Sequence, residues 1–166
     1  MNLAAFMQRL FAFALMALLA ACASTPPSSS GARSSVTVQA ERRPAVVLSA
    51  MTLLDSPYRY GGREPSTGFD CSGLVHYVFS QERASSPIPR NTAAQASASR
   101  RVSRSQLRPG DLVFFNTLGK PNSHVGIYIG NDQFINAPSS GGRVRIDSLN
   151  NPYFAKRFET ARTFFD

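Results

Sequence analysis

The sequence predicts an α+β fold in which helices come first and an antiparallel sheet follows. Three observations carry this expectation. Apolar residues recur at helical spacing between Pro44 and Gln81. β-Branched and aromatic residues then dominate four short runs between Leu112 and Ile146. Two of those runs are separated only by Gly130-Asn131-Asp132, as a tight hairpin requires. Helices and strands segregated in this way read as α+β.

Each element has its own signal. Pro44 suits the first turn of a helix, and Val46, Val47, Leu48, Met51, Leu53 and Leu54 give it an apolar face ending near Asp55. Residues 56–68 read as loop, punctuated by Gly61-Gly62 and Pro65. A second helix is expected from Cys71 to about Gln81, with Leu74, Val75, Val78 and Phe79 as its apolar positions. Residues 85–89 read as loop and residues 92–98 as a short helix. Strands are expected over 112–115, 124–129, 133–137 and 143–146. A single helical turn over 151–155 and a last strand over 157–164 complete the pattern.

The 166 residues amount to about one domain. With 43% hydrophobic and 17% charged residues, the chain can bury a core, which excludes wholesale disorder. The net charge is +8, yet the basic residues are scattered, with no run longer than Arg42-Arg43 and Arg100-Arg101. Nucleic-acid binders cluster such residues, so no nucleic-acid partner is expected, while anionic polymers and membranes stay open as partners. The only cysteines are Cys22 and Cys71, and the only histidines are His76 and His124. No Cys/His cluster with metal-ligand spacing exists, so neither a metal nor another cofactor is expected.

Residues 1–21 read as an address. Arg9 precedes an apolar run over 10–21 that is shorter than the ~20 residues a membrane span needs, and it fits a secretory signal. Leu19-Ala20-Ala21-Cys22 resembles a bacterial lipobox, which implies that Cys22 is lipidated and becomes the first mature residue. An ordinary signal peptide cut nearby is the alternative. Ala23 rather than Asp at the next position is similar to an enterobacterial outer-membrane sorting signal, with the protein facing the periplasm. Residues 23–43 open on a Ser/Pro-rich stretch and read as a flexible tether. Three parts follow: a signal over 1–21, a lipidated cysteine and linker over 22–43, and a folded head over 44–166.

Cys71 lies where a loop becomes a helix, in Gly68-Phe69-Asp70-Cys71-Ser72-Gly73-Leu74. Backbone N–H groups and the dipole at that end are expected to stabilise a thiolate and to hold an oxyanion, with Gly73 leaving room for substrate. A thiol so activated would titrate near ~3.5–7.5. A buried structural cysteine is the bland alternative. His124 opens a strand and can point into a cleft, or serve structurally. A hairpin about residues 130–132 places His124 near Pro138, close to Asn136 but not firmly opposite it. An Asn there could orient the imidazole, as the third member of a Cys-His-Asn set does. His76 lies five residues from Cys71, about 500° around the helix, and reads as structural or solvent-facing.

Six spaced motifs then occur in order: Pro57-Tyr58-Arg59-Tyr60-Gly61-Gly62, Gly68-Phe69-Asp70-Cys71-Ser72-Gly73-Leu74-Val75, Pro89-Arg90-Asn91-Thr92, Arg108-Pro109-Gly110-Asp111-Leu112-Val113-Phe114-Phe115, Ser123-His124-Val125-Gly126-Ile127-Tyr128-Ile129-Gly130 and Phe134-Ile135-Asn136-Ala137-Pro138. Together they resemble the NlpC family of bacterial cell-wall cysteine peptidases, which have a compact papain-like fold. The resemblance implies a Cys71 nucleophile, a His124 general base and an Asn136 third residue, where many members have His. It implies substrate or oxyanion binding by Tyr58 and by Ser72, beside the nucleophile. The implied partners are peptidoglycan peptide stems, cut at a D-alanyl–diaminopimelate crosslink or a γ-D-glutamyl–diaminopimelate bond, with membrane attachment through Cys22. A lipidated Cys22 leaves Cys71 without an intramolecular partner, as suits a catalytic thiol in an oxidising compartment. A non-catalytic wall-binding scaffold of the same fold, or Cys-His chemistry on another amide or lipid, would fit the same residues. No sequence feature sets an oligomeric state.

Overall fold

The computed structural model describes residues 35–166. The signal, Cys22 and most of the tether lie outside the described residues. Helix α1 (Arg43–Thr52) carries Pro44 in its first turn. Helix α2 (Cys71–Ser80) follows a two-stranded ribbon of β1 (Arg63–Glu64) and β2 (Gly68–Phe69). Helix α3 (Thr92–Ala98) is capped by the Asn91 side chain, which accepts from the Ala94 N–H at 2.8 Å. The remaining strands are β3 (Arg100–Val102), β4 (Leu112–Phe115), β5 (His124–Gly130), β6 (Gln133–Asn136), β7 (Arg145–Ser148) and β8 (Phe158–Thr163). A short helix α4 (Pro152–Ala155) precedes β8.

Strands β3 to β8 form one antiparallel sheet in the order β3-β8-β4-β5-β6-β7. Its two faces follow from the alternation of side chains along each strand. Leu112, Phe114, Val125, Ile127 and Ile135 join the core beneath α1 and α2. Val113, Phe115, Tyr128 and Phe134 point the other way, onto Leu149 and Phe154 of the segment around α4. Strand β4 is therefore buried on both faces, although its sheet is antiparallel.

The expected helices and the β4–β5–β6 meander are present, and the α+β class is correct. The hairpin turns on Asn131 and Asp132, both at positive φ, which matches the right-handed twist of the strands it joins. Four details differ from the sequence expectation, besides the unexpected strand β3. Leu48 and Met51 lie on the exposed side of α1; Val46 is buried as expected, and Ala50 is buried with it. The loop before Cys71 contains the β1–β2 ribbon. Strand β7 sits two residues later than expected, because Val144 exchanges backbone bonds with Asp55 and Ser56 rather than with β6. The linker expected to run to Arg43 ends sooner: Val36 and Val38 are buried, and their N–H groups donate to the Ala98 and Phe164 carbonyls.

Candidate active site

The start of α2 is built around one carboxylate. Asp70 is the N-cap, in extended conformation, and its Oδ1 accepts from the Gly73 N–H at 2.6 Å. The Ser72 hydroxyl donates to the same oxygen at 3.0 Å, and the Gly61 N–H donates to Oδ2 at 3.0 Å. Arg90 closes the cluster as a fork. Its Nη1 reaches Oδ1 and its Nη2 reaches Oδ2, each at 3.1 Å, while Nη2 also donates to the Gly62 carbonyl at 3.0 Å. Loop, helix start and the segment after α2 are thus tied at one point, and Cys71 is the next residue along.

That clasp revises two expectations. The Ser72 side chain is committed to Asp70 and also accepts from Arg90 at 3.1 Å, so its hydroxyl is held inside the protein. What Ser72 turns towards the thiol is its backbone N–H. Gly73 faces the Gly62 carbonyl and Arg90 rather than a substrate channel. The room it provides is for the loop carrying residues 57–62.

Cys71 and His124 line one cleft of about 520 Å³, together with Tyr58, Tyr60, Thr117 and Ala137. The thiol meets the backbone N–H groups of Val125, Ser72 and Cys71, which favour its charged form. Burial outweighs them and pushes the thiol up to about 11, with the Asp70 charge acting in the same direction. Burial thus works against the low-titrating thiolate expected at the helix terminus. Burial likewise raises the Tyr58 hydroxyl above its ordinary value, and negative charge on Cys71 and Asp70 adds to it. Tyr58 thus stays a proton donor throughout the neutral range.

His124 is buried, with Phe154 stacked 6.3 Å from its ring centre and Phe115 at 6.1 Å. Its Nε2 is 2.9 Å from Asn136 Oδ1. The register explains the contact. Residue pairs across β5 and β6 such as Ile127↔Ile135 sum to 262, so Asn136 lies diagonal to His124 on the same face. Burial lowers the imidazole below its ordinary 6.5; the Asn136 bond and the Asp147 charge oppose this, and Arg145 works with burial. Histidine and thiol are thereby both held neutral at pH 7. His76 is not part of the cleft: its Nδ1 sits 2.8 Å from the Ile88 carbonyl, a structural bond.

Four residues of this environment were not singled out from sequence: Asp70, Arg90, Arg145 and Asp147. Asp70 had a signal, since Asp immediately before a helix is a strong N-cap. Arg90 had only its place in a motif. Arg145 and Asp147 alternate on one strand, but the strand was expected to end at Ile146. Among the described residues, no group of three or more His, Cys, Asp or Glu could hold a metal ion.

A model of the NlpC/P60 family matches residues 55–163. Murein DD-endopeptidase MepH of Escherichia coli strain K12 is 42% identical over 115 residues, 68% of this chain and 42% of that protein. Murein DD-endopeptidase MepS/Murein LD-carboxypeptidase of the same strain is 49% identical over 105 residues, 63% of this chain and 54% of that protein. The chain thus spans about half the length of these curated relatives. Among solved structures, the NlpC/p60 domain of the peptidoglycan hydrolase SagA superposes with a TM-score of 0.63 at 36% identity, covering 73% of this chain and 97% of that one.

Proposed function

Since the chain belongs to the NlpC/P60 family, and its Cys71 and His124 line one cleft, we propose that it is a cysteine endopeptidase of the bacterial cell wall. The carrying observation is a thiol at a helix start sharing a cleft with a histidine whose far nitrogen is fixed by Asn136. Nδ1 of His124 takes the thiol proton as Sγ attacks an amide carbonyl of a peptide stem. The carbonyl π electrons move onto oxygen, and backbone N–H groups at the α2 start stabilise the oxyanion with the protonated Tyr58 hydroxyl. Collapse expels the amine, to which His124 returns the proton, and water then hydrolyses the thioester. A resting pair in which both partners are neutral makes the base indispensable, because little thiolate exists before substrate arrives.

With both E. coli relatives named murein DD-endopeptidases, the bond proposed is the D-alanyl–diaminopimelate crosslink, ahead of the γ-D-glutamyl–diaminopimelate bond. Mass spectrometry of muropeptides tests this, after sacculi are digested with the full chain beside its Cys71→Ala counterpart. Conversion of crosslinked dimers into intact monomers by the unmutated chain alone is the expected result. Shortened stems would move the cut to the γ-D-glutamyl bond. No Cys71-dependent product, on sacculi that a control hydrolase digests, would leave a wall-binding scaffold.

Attachment through a lipidated Cys22, at an outer membrane and facing the periplasm, belongs to the same proposal. It rests on the apolar leader and the Leu19-Ala20-Ala21-Cys22 sequence. The protein isolated from bacterial membranes should carry a diacylglyceryl mass at Cys22. Persistence of membrane association in a Cys22→Ser chain would refute the anchor.

A further inference from the structure

Behind Asn136 the sheet continues a polar chain that the reaction steps above do not use. Two adjacent strands contribute to it. Asn136 of β6 lies opposite Arg145 of β7, and Asp147 is two residues further along, on the same face. Asn136 Nδ2 donates to Asp147 Oδ2 at 2.9 Å and to the Arg145 carbonyl at 3.4 Å. Arg145 Nε donates to the same Asp147 oxygen at 2.9 Å. Asn136 itself is fully buried, so no bulk water competes for its amide.

From this arrangement we infer that Asp147 is a positioning residue that sets the tautomer of His124 through Asn136. This rests on the peptidase reading for its consequence, though not for its geometry. An asparagine amide can turn over, presenting oxygen or nitrogen to a neighbour with almost no change of shape. Here both partners of its outer end are acceptors only, a carboxylate and a carbonyl. That end must therefore be the NH₂ group, and Oδ1 must face His124. An oxygen facing Nε2 requires a proton on Nε2, which leaves the lone pair on Nδ1. Arg145, on the edge strand β7, in turn holds the carboxylate, with Nη1 anchored on the Ser140 carbonyl at 3.0 Å. Loss of Asp147 leaves only the long 3.4 Å bond to the Arg145 carbonyl to hold the amide, and a turned amide stabilises the Nδ1–H form, which cannot accept a proton from a thiol.

The test is nitrogen NMR of the His124 ring in the full chain at pH 8, beside cleavage kinetics on a soluble crosslinked muropeptide. The unmutated chain should show a protonated Nε2 and an unprotonated Nδ1. In Asp147→Ala the two resonances should move towards averaged positions, and kcat should fall about tenfold with KM changed less than about twofold. Asp147→Asn keeps an oxygen for both donors and should stay within about threefold of the parent. Because Asp147 acts through Asn136, adding Asp147→Ala to Asn136→Ala should cost no further activity. An Nδ1–H tautomer in the unmutated chain overturns the inference, whether or not any variant folds. So does an unaltered spectrum in Asp147→Ala, or a further loss in the double variant. The spectra report on the tautomer even if no Cys71-dependent cleavage is found, so failure of the positioning role and failure of the peptidase reading are separable.

Discussion

Replacing His124 with Ala is expected to reduce kcat/KM for muropeptide cleavage by about 10⁴-fold, the scale on which removing a catalytic base acts. The size follows from the resting protonation states. With the Cys71 thiol pushed up to about 11, only about one molecule in 10⁴ carries a thiolate at pH 7 without help. Alkylation by iodoacetamide at pH 7 should also slow in the His124→Ala protein and recover as the pH is raised towards the thiol's own value. The same argument fixes the sign of the pH dependence. A base must be unprotonated, and burial lowers the His124 imidazole below 6.5, so activity should persist through pH 6.5 and fall only as the pH drops through that lower value. An acid limb above 6.5, or His124→Ala activity within tenfold of the parent, would remove His124 from the base role. Thermal melting separates this from unfolding: the variant also leaves Asn136 Oδ1 without its partner, a cost of about 1–3 kcal/mol that lowers Tm without erasing the fold.

How much of this was legible in the sequence varied with how local the cause was. Helix α3 and strand β4 have the limits expected, because each is delimited by its own chain: Asn91 caps one, and Leu112-Val113-Phe114-Phe115 can only be an apolar run. The hairpin register is also local, and from sequence it brings His124 close to Asn136. The misses have distant partners. Residues 143 and 144 do look like strand, but they pair with residues 55–57, so β7 begins later. That shift of two residues is what hid Asp147. Strand β3 begins with two arginines, as a charged edge strand can, and its apolar content is too small to show. Val36 and Val38 alternate like a strand, but the serines and prolines before them masked the pattern. At the nucleophile, the terminus of α2 was visible and the depth of the thiol was not. Burial is a property of the assembled molecule, and it reversed the expected direction of the Cys71 titration.

Cys71 directly follows the clasp around Asp70, and Gly73→Ala is the substitution expected to break that clasp with the fewest added atoms. A Cβ at residue 73 would lie well inside contact distance of the Gly62 carbonyl oxygen and 3.0 Å from Arg90 Nη2. Backbone on one side and a guanidinium fixed by two carboxylate bonds on the other leave no flexible group to give way. The Gly62 carbonyl accepts from Arg90 at 3.0 Å and from the Asp70 N–H at 3.1 Å, so moving it strains both bonds. Displacing the helix instead would pull the Gly73 N–H from Asp70 Oδ1 and uncap α2. Overpacking together with a damaged cap should cost about 3 kcal/mol and lower Tm by about 10 °C. Activity should fall further than stability accounts for, because Cys71 and the loop carrying Tyr58 are the segments forced apart. Arg90→Ala supplies the comparison, since it removes one side of the contact without adding bulk. If Gly73→Ala is restored by Arg90→Ala, the guanidinium was the obstacle; if not, the Gly62 backbone was. A Gly73→Ala protein with unchanged Tm and full activity would mean that the loop slides freely past α2, and that the clasp does not set the position of the nucleophile.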